Sequence, residues 1–514
     1  MSDSWIIDFG SQYTQLITRR SRELGYSSII LTIDEARERL KSEKPLAFIL
    51  SGGPHSIFED QEDYSFIFEE KLPVLGICYG MQLIGQFFKG KVERGVQGEY
   101  GFANVHVENQ KCLGHLKESS FQVWMSHFDH LITPPEGFVV TLKSENGIIA
   151  GIENTSKKMM ALQFHPEVEH TLQGRDILRH FFEDVAGLKK NWSNAKMISL
   201  CENEVSAVKE SYVLCAFSGG VDSLVAATLA SNVIGDKLYC FFVDNGLLRP
   251  QDYHHIEVLK SETNLQIEVI DAKELFLAKL AGVGEPEKKR KIIGNTFIEV
   301  FDQKVHDFEK SHNLKFEYLL QGTLYPDVIE SVSPHQKGGK SVTIKSHHNV
   351  GGLPEKMNLK LLEPLKFLFK DEVREIGEEL GLKHEWVHRH PFPGPGIGVR
   401  VLGELTAKAI KAVQESDDIL FHELHAHKLY EACWQAFTVF LPVETVGVKG
   451  DARAYENVIC LRIVNSTDGM TADWTRHPYE FLAKVSSRIC NEVSGITRVV
   501  YDITSKPPGT IEWE

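Results

Sequence analysis

No apolar run in the chain approaches the roughly 18 residues that a membrane-spanning helix needs, and the opening Met1-Ser2-Asp3-Ser4-Trp5 lacks the basic and apolar stretches of a secretory signal. A cytoplasmic protein without a membrane partner is expected. Cysteine is sparse: the eight residues (Cys78, Cys112, Cys201, Cys215, Cys240, Cys433, Cys460 and Cys490) lie far apart, with no C-x-x-C pair. That spacing excludes a disulfide framework and a zinc knuckle, and most of them should be free thiols. Positive charge is in deficit, 56 Lys+Arg against 71 Asp+Glu for a net charge of −15. The overall field repels polyanions, so no nucleic-acid partner is expected, and a small anionic ligand needs a local basic pocket. Repeats and low-complexity segments are missing too. What remains is 42% hydrophobic and 25% charged over 514 residues. That is the profile of a soluble globular enzyme with about three domains of roughly 150 residues each.

Residues 5–190 alternate short apolar runs, Trp5–Asp8, Ala47–Ser51 and Val74–Ile77, with helix-length stretches, the pattern of a parallel α/β sheet. Between about 183 and 206 the sequence turns polar and helical, and a fresh α/β pattern opens at Val213–Phe217. Strand candidates Tyr239–Val243, Ile267–Ile270 and Tyr318–Gln321 repeat a doubly wound signature. The segment His390–Gly398 carries three prolines and three glycines, which neither a helix nor a central strand continues through. Beyond it, helices near 403–435 and 476–492 mix with strands Thr445–Lys449, Val458–Ile463 and Arg498–Tyr501 in an α+β pattern. The predicted domains are therefore 1–190, 191–389 and 390–514.

Two loops carry chemistry. In Gly76-Ile77-Cys78-Tyr79-Gly80 an apolar strand gives way to a helical stretch from Met81, so Cys78 should stand on a tight strand-to-helix elbow. The helix N-terminus favours its thiolate, and the Tyr79 N–H faces an oxyanion on an attacked carbonyl. A lone cysteine is more often a buried structural one, but Gln163-Phe164-His165-Pro166-Glu167 supplies a base and a carboxylate to orient it. Cys78, His165 and Glu167 then divide the work as nucleophile, general base and tautomer holder. Ser51-Gly52-Gly53-Pro54 is a turn able to aim a second N–H at the oxyanion.

The second loop, Ser218-Gly219-Gly220-Val221-Asp222-Ser223, follows the Val213–Phe217 strand and opens a helix at Leu224. Paired glycines, hydroxyls and a helix N-terminus make an anion cradle, without the lysine of a Walker A loop. Gly339-Lys340-Ser341 mimics the end of Walker A, but Pro334 stands where the first glycine belongs. His422, His425 and His427 lack a completing acid or thiol and read as a solvated helix face. No structural metal is expected.

These residues carry resemblances. Cys78, His165, Glu167 and Gly53, with Asp8–Tyr13 and Trp124–His127, resemble the class I glutamine amidotransferases, which implies a flavodoxin-like domain whose cysteine attacks the glutamine side-chain amide and releases ammonia. By position, Gln82 then helps hold glutamine while Gly53 and Tyr79 form the oxyanion hole. The Ser218–Ser223 loop resembles that of the ATP pyrophosphatases, which implies ATP contacts from Ser218, Gly219, Gly220, Val221, Asp222, Ser223 and Leu224, and Mg²⁺ on Asp222. Asp244, in Phe242–Gly246, ends the next strand, where adenosine lies in a doubly wound fold.

An ammonia source joined to an adenylating domain implies amidation of an activated carbonyl oxygen. Asparagine synthetases use a cysteine exposed at the N-terminus, where residue 2 here is Ser, and NAD synthetases carry a nitrilase-type half, so both fit poorly. Lys289–Gly294, Gln321–Asp327, Arg389–Gly396 and the terminus Lys506–Glu514 resemble the glutamine-hydrolysing GMP synthetase family across essentially the whole chain. The resemblance implies that ATP adenylates the C2 oxygen of xanthosine 5′-monophosphate (XMP), that ammonia then displaces AMP to give GMP, and that the C-terminal α+β domain dimerises. It favours Arg290, Lys506 and Glu512 as XMP contacts, with Lys288 and Lys289 equally well read as a solvated helix face. Lys449 replaces the Met or Gln usual in relatives and has no assigned role. The alternative is a nucleotide or glutamine sensor that keeps the pockets without turnover, against which the intact Cys78, His165 and Asp222 speak.

Overall fold

A computed structural model describes residues 3–109, 116, 118–331, 359–449, 452–466, 469 and 471–514. Cys112 and the Gly339–Ser341 decoy lie outside the described residues. The chain divides into two compact units, one ending at Lys196 and the other running from Met197 to Glu514.

The first unit is built on a nine-stranded sheet of order β2-β1-β3-β4-β9-β8-β7-β5-β6. The strands are β1 (Ser4–Ile7), β2 (Ser28–Leu31), β3 (Ala47–Leu50), β4 (Val74–Ile77), β5 (Lys91–Val107), β6 (Ser120–Thr133), β7 (Val139–Ser144), β8 (Ile149–Asn154) and β9 (Met159–Leu162). A wholly parallel sheet was the expectation, and it holds only for β2, β1, β3, β4 and β9; from β8 outward the pairs are antiparallel. The reason is visible in burial. β1, β3, β4 and β9 are buried at every position, as strands covered on both faces must be, whereas β6 alternates between buried and open positions.

The turn after β4 is tight because two side chains are missing from it. A Cβ on Gly80 would stand 2.5 Å from the Leu50 carbonyl oxygen, and one on Gly76 2.6 Å from that of Gly80. The helix Tyr79–Phe87 thereby packs directly on the strands that launch it.

In the second unit β10 (Tyr212–Ala216), β11 (Leu238–Asp244), β12 (Ile267–Asp271), β13 (Phe316–Leu320) and β14 (Lys360–Leu362) form a parallel sheet of order β12-β11-β10-β13-β14. The chain winds outward from β10 in one direction and returns to its other side at β13, which makes the β10 edge the switch point where doubly wound folds bind ligands. A second sheet joins β15 (Gln435–Lys449), β16 (Ala452–Asn465), β17 (Asp473–Trp474) and β18 (Ile496–Tyr501). The helix expected to reach 435 ends at Ala426, and β15 begins at Gln435. No break in packing falls at 389/390, because one core runs from Leu214 and Phe241 through Ile397, Val413 and Leu420 to Phe440, Ile459 and Ile489.

Gly80→Ala forces its new methyl against the backbone of β3, and overpacking of this kind costs about 1–3 kcal/mol. Calorimetry of the variant should show a lowered unfolding transition for the first unit, with the transition of the second unit unchanged.

Candidate active sites

β3, β4 and β9 are adjacent and parallel, so their C-terminal ends share one edge. That edge gathers the Ser51–Pro54 turn, Cys78 and the His165 loop, and the Cys78 N–H donates to the Leu162 carbonyl at 2.7 Å. Cys78 takes φ 52° and ψ −103°, a backbone conformation costly for a side-chain-bearing residue and held by the packing around the elbow. Its thiol donates to the Ser126 carbonyl at 3.5 Å, and Gln163 Nε2 donates toward its sulfur at 3.8 Å, with the His165 ring beside it. Glu167 Oε1 lies 2.8 Å from His165 Nδ1, and all three groups are buried. Burial lowers the basicity of His165, but the Glu167 carboxylate and then the Cys78 sulfur outweigh it and raise the imidazole pKa to about 10. That upward shift favours the protonated ring beside the Cys78 sulfur.

The oxyanion candidates stand close by. Tyr79 opens its helix, where an N–H has no carbonyl one turn back to bond. Gly53 lies against Phe9 and the Tyr79 ring. Gln82 is buried with its amide donating to the Asp129 carbonyl at 2.7 Å, which leaves its oxygen for a ligand. Two supports were not read from the sequence. Asp60 accepts hydrogen bonds from both Tyr64 and Tyr79 hydroxyls. Glu99 meets His127 Nε2 at 3.1 Å and accepts from Ser144 and Asn146, each at 2.8 Å. Although burial raises it, those bonds hold the Glu99 carboxyl down at about 2. The Trp124–His127 motif marked one end of this network; nothing local marked Glu99.

In the second unit the helix Val221–Ile234 starts immediately after Gly220. Gly219 has φ +73°, and a Cβ there would stand 2.7 Å from Ile256. Ser218 Oγ lies 3.0 Å from Ser223 Oγ, and Ser223 also donates to the Gly220 carbonyl, so the hydroxyls bracket the turn. His255 Nε2 lies 3.2 Å from the Gly219 carbonyl, and burial foremost, with Arg389 next, lowers its pKa to about 4. A neutral ring is therefore the donor. Leu224 is a packing residue, its N–H bonded to the Gly220 carbonyl at 2.9 Å and its side chain in the core. Asp222 faces Lys370 at 3.4 Å through Oδ2, while its buried Oδ1 has no hydrogen-bond partner. Asp244 accepts from Tyr253 at 2.9 Å and pairs with Lys273 at 3.0 Å.

Three stretches match family models: residues 5–185 the class-I glutamine amidotransferases, 212–322 the phosphoadenosine phosphosulfate reductase domain, and 422–513 the GMP synthase C-terminal domain. The glutamine-hydrolysing GMP synthase of Chlorobaculum tepidum is 51% identical over 99% of this chain and 98% of its own. Those of Thermosipho africanus and Aquifex aeolicus are each 50% identical over 99% of both chains. The chain belongs to the glutamine-hydrolysing GMP synthases. It is a ligase of glutamine-dependent GMP synthesis, and the sensor reading is not favoured.

For a GMP synthase, the three XMP candidates sit among the chain's own groups. Arg290 donates to the Glu514 main-chain oxygen and keeps a buried Nε–H without an acceptor. Glu512 pairs with Arg400 at 2.9 Å and accepts from Gln435 at 2.8 Å. Lys506 Nζ donates to the Gly469 carbonyl at 2.7 Å, at the far end of the same tail. Lys288 is solvated and pairs with Glu285, whereas Lys289 is fully buried and meets Glu514 at 2.5 Å. His422, His425 and His427 turn to different neighbours, Arg488, Tyr430 and the Glu423 carbonyl. The Lys449 side chain lies outside the described atoms.

Because its pKa is raised, His165 stays protonated up to about pH 10 and loses its proton above that. Glutaminase activity that needs the imidazolium should persist through neutrality and fall as pH rises through that value. Glu167→Gln removes the strongest upward influence and leaves the Cys78 sulfur alone to oppose burial. The falling limb should move to lower pH by at least about one unit. Ammonia release measured against pH decides this, and an unmoved limb would leave Glu167 without a part in placing the proton.

Proposed function

We propose that the chain makes GMP from XMP, ATP and glutamine through two sites with the roles assigned below. The observation that carries this reading is the presence on one chain of a strained Cys78 facing a carboxylate-held imidazolium and of a phosphate cradle at a sheet switch point.

At the first site the Cys78 sulfur adds to the glutamine side-chain carbonyl, and the Gly53 and Tyr79 N–H groups stabilise the oxyanion. His165 hands its proton to the departing nitrogen, ammonia leaves, and water then cleaves the thioester to glutamate. Gln82 positions the substrate. At the second site Ser218, Gly219, Gly220, Val221 and Ser223 cradle the ATP phosphates, with Asp244 at the adenosine end. The unpartnered Oδ1 of Asp222 fits a Mg²⁺ ion, as does a carboxylate beside phosphates. Bound there, Mg²⁺ supplies charge neutralisation for the phosphates. The XMP C2 oxygen attacks the α-phosphorus with loss of pyrophosphate, and ammonia displaces AMP at C2. Arg290, Lys506 and Glu512 are the proposed XMP contacts, and the unpaired Nε–H of Arg290 supports that role.

The domain division 1–190, 191–389 and 390–514 belongs to the same proposal. So does a homodimer through the β15–β16 hairpin, which is supported by its exposed Val446, Val448 and Tyr455. Among the described residues no helix is long and apolar enough to cross a membrane, and a cytoplasmic location is proposed.

Cys78→Ala should abolish GMP formation with glutamine and leave it intact with ammonium, because the nucleophile serves only to liberate ammonia. Equal loss with both nitrogen sources would overturn the two-site reading.

Asp222→Asn should lower pyrophosphate release with either source. Parental rates in a folded variant would withdraw the metal role.

Lys506→Ala should raise the XMP KM about ten- to a hundredfold, the worth of a charge-assisted hydrogen bond. An unchanged KM with a lowered Tm would leave Lys506 as an anchor of the tail through Gly469 and Ala472.

A further inference from the structure

Outside the two reaction sites, among the described residues, one cluster of three side chains of metal-ligating type holds its ligand atoms within 4.8 Å of one another. Glu378 lies near the end of the helix Lys370–Glu379; His384 opens the short helix that follows and His388 caps its C-terminus. A single carboxylate oxygen, Glu378 Oε1, stands 2.6 Å from His384 Nδ1 and 3.2 Å from His388 Nε2. The two imidazoles stack at 4.0 Å between centroids. In a tetrahedral site with metal–ligand bonds of about 2.0–2.1 Å, neighbouring ligand atoms are about 3.3 Å apart, which the His388–Glu378 pair at 3.2 Å matches and the His384–Glu378 pair at 2.6 Å reaches by opening slightly. A fourth group has the place of an orienting partner: Glu431 Oε1 is 3.5 Å from Nε2 of His384, the ring nitrogen that faces away from Glu378.

We propose that Glu378, His384 and His388 bind one divalent transition-metal ion of the zinc class, with Glu431 orienting His384. Coordination uses His384 Nδ1, His388 Nε2 and Glu378 Oε1, with water completing the tetrahedron. His384 then carries its proton on Nε2 toward Glu431, the arrangement in which an outer carboxylate fixes a ligand's tautomer and strengthens it. Two imidazoles and a carboxylate suit zinc(II) better than Mg²⁺, which prefers an all-oxygen shell. The ion would pin the turn between the two helices, whose next residue after His388 is Arg389. That guanidinium reaches Asp252 at 2.7 Å, so the metal would brace the segment entering the Arg249–Asp252–Arg389 cluster.

The test is titration of the chelator-stripped full chain with zinc(II) chloride by calorimetry, comparing the parent with His384→Ala/His388→Ala. Other zinc-binding thiols are common to both proteins, so the quantity read is the site that the double variant loses. The expected result is one equivalent fewer in the double variant, a zinc-induced rise in Tm that only the parent shows, and a tenfold to hundredfold weaker site in Glu431→Gln. Glu378→Gln, which keeps size and loses charge, should weaken the site without lowering the metal-free Tm. Equal stoichiometry in parent and double variant, or no zinc-dependent Tm difference between them, would overturn the proposal.

Discussion

The chemistry of both units rests on one constraint: parallel strands deliver their C-terminal ends to a single edge. Side chains far apart in sequence become neighbours only because β3, β4 and β9 run side by side in register, Leu50 beside Gly76 and Ile77 beside Leu162. A slip of one residue in either pairing would turn Cys78 or His165 to the opposite face of the sheet. The same constraint acts at β10, where the phosphate cradle, Asp244 at the end of β11 and Gly322 beyond β13 converge. A Cβ on Gly322 would lie 2.8 Å from the Asp222 backbone, so the β13 loop reaches the cradle closely enough to exclude a side chain.

Given that edge, backbone strain and buried charge are what make it reactive. The conformation of Cys78 is held by Gly76 and Gly80, whose missing side chains let strand and helix close around it. His165 is buried, which disfavours its charged form; the Glu167 carboxylate foremost, with the Cys78 sulfur, reverses that and raises its pKa. In the cradle the balance runs the other way. His255, buried beside Arg389, stays neutral and donates to the Gly219 carbonyl, so it steadies the turn without adding a positive charge there.

The legible parts of the sequence were those whose signal is local. An apolar run followed by Gly-x-Cys-x-Gly, or by Ser-Gly-Gly-x-Asp-Ser, specifies strand, turn and helix within a dozen residues; both turns formed, with the helices opening earlier than expected, at Tyr79 rather than Met81 and at Val221 rather than Leu224. The antiparallel half of the first sheet was not legible, because pairing direction depends on which strand lies alongside rather than on composition. β15 was taken partly into a helix because Cys433-Trp434-Gln435-Ala436-Phe437 has no period to separate helix from strand. Glu99, Asp60 and the Glu378–His384–His388 cluster are tertiary: each is an ordinary polar residue until folding brings partners from other elements. Lys289 was ambiguous for the same reason, its burial following from the return of the chain terminus to its helix.

That return has an energetic logic. Arg400, Arg462 and Lys289 are fully buried, and buried cations must be paired or hydrogen-bonded. The last residues satisfy all three: Glu512 meets Arg400, Glu514 meets Lys289, and the carbonyls of Thr504, Thr510 and Ile511 accept from Arg462. Glu514 also occupies Arg290 through its main-chain oxygen. Under the proposed assignment, a nucleotide phosphate arriving at Arg290 therefore meets a cation that already has a hydrogen-bond acceptor. Its affinity then reflects the difference between two pairings, and the tail that completes the fold also sets the reference against which the substrate binds.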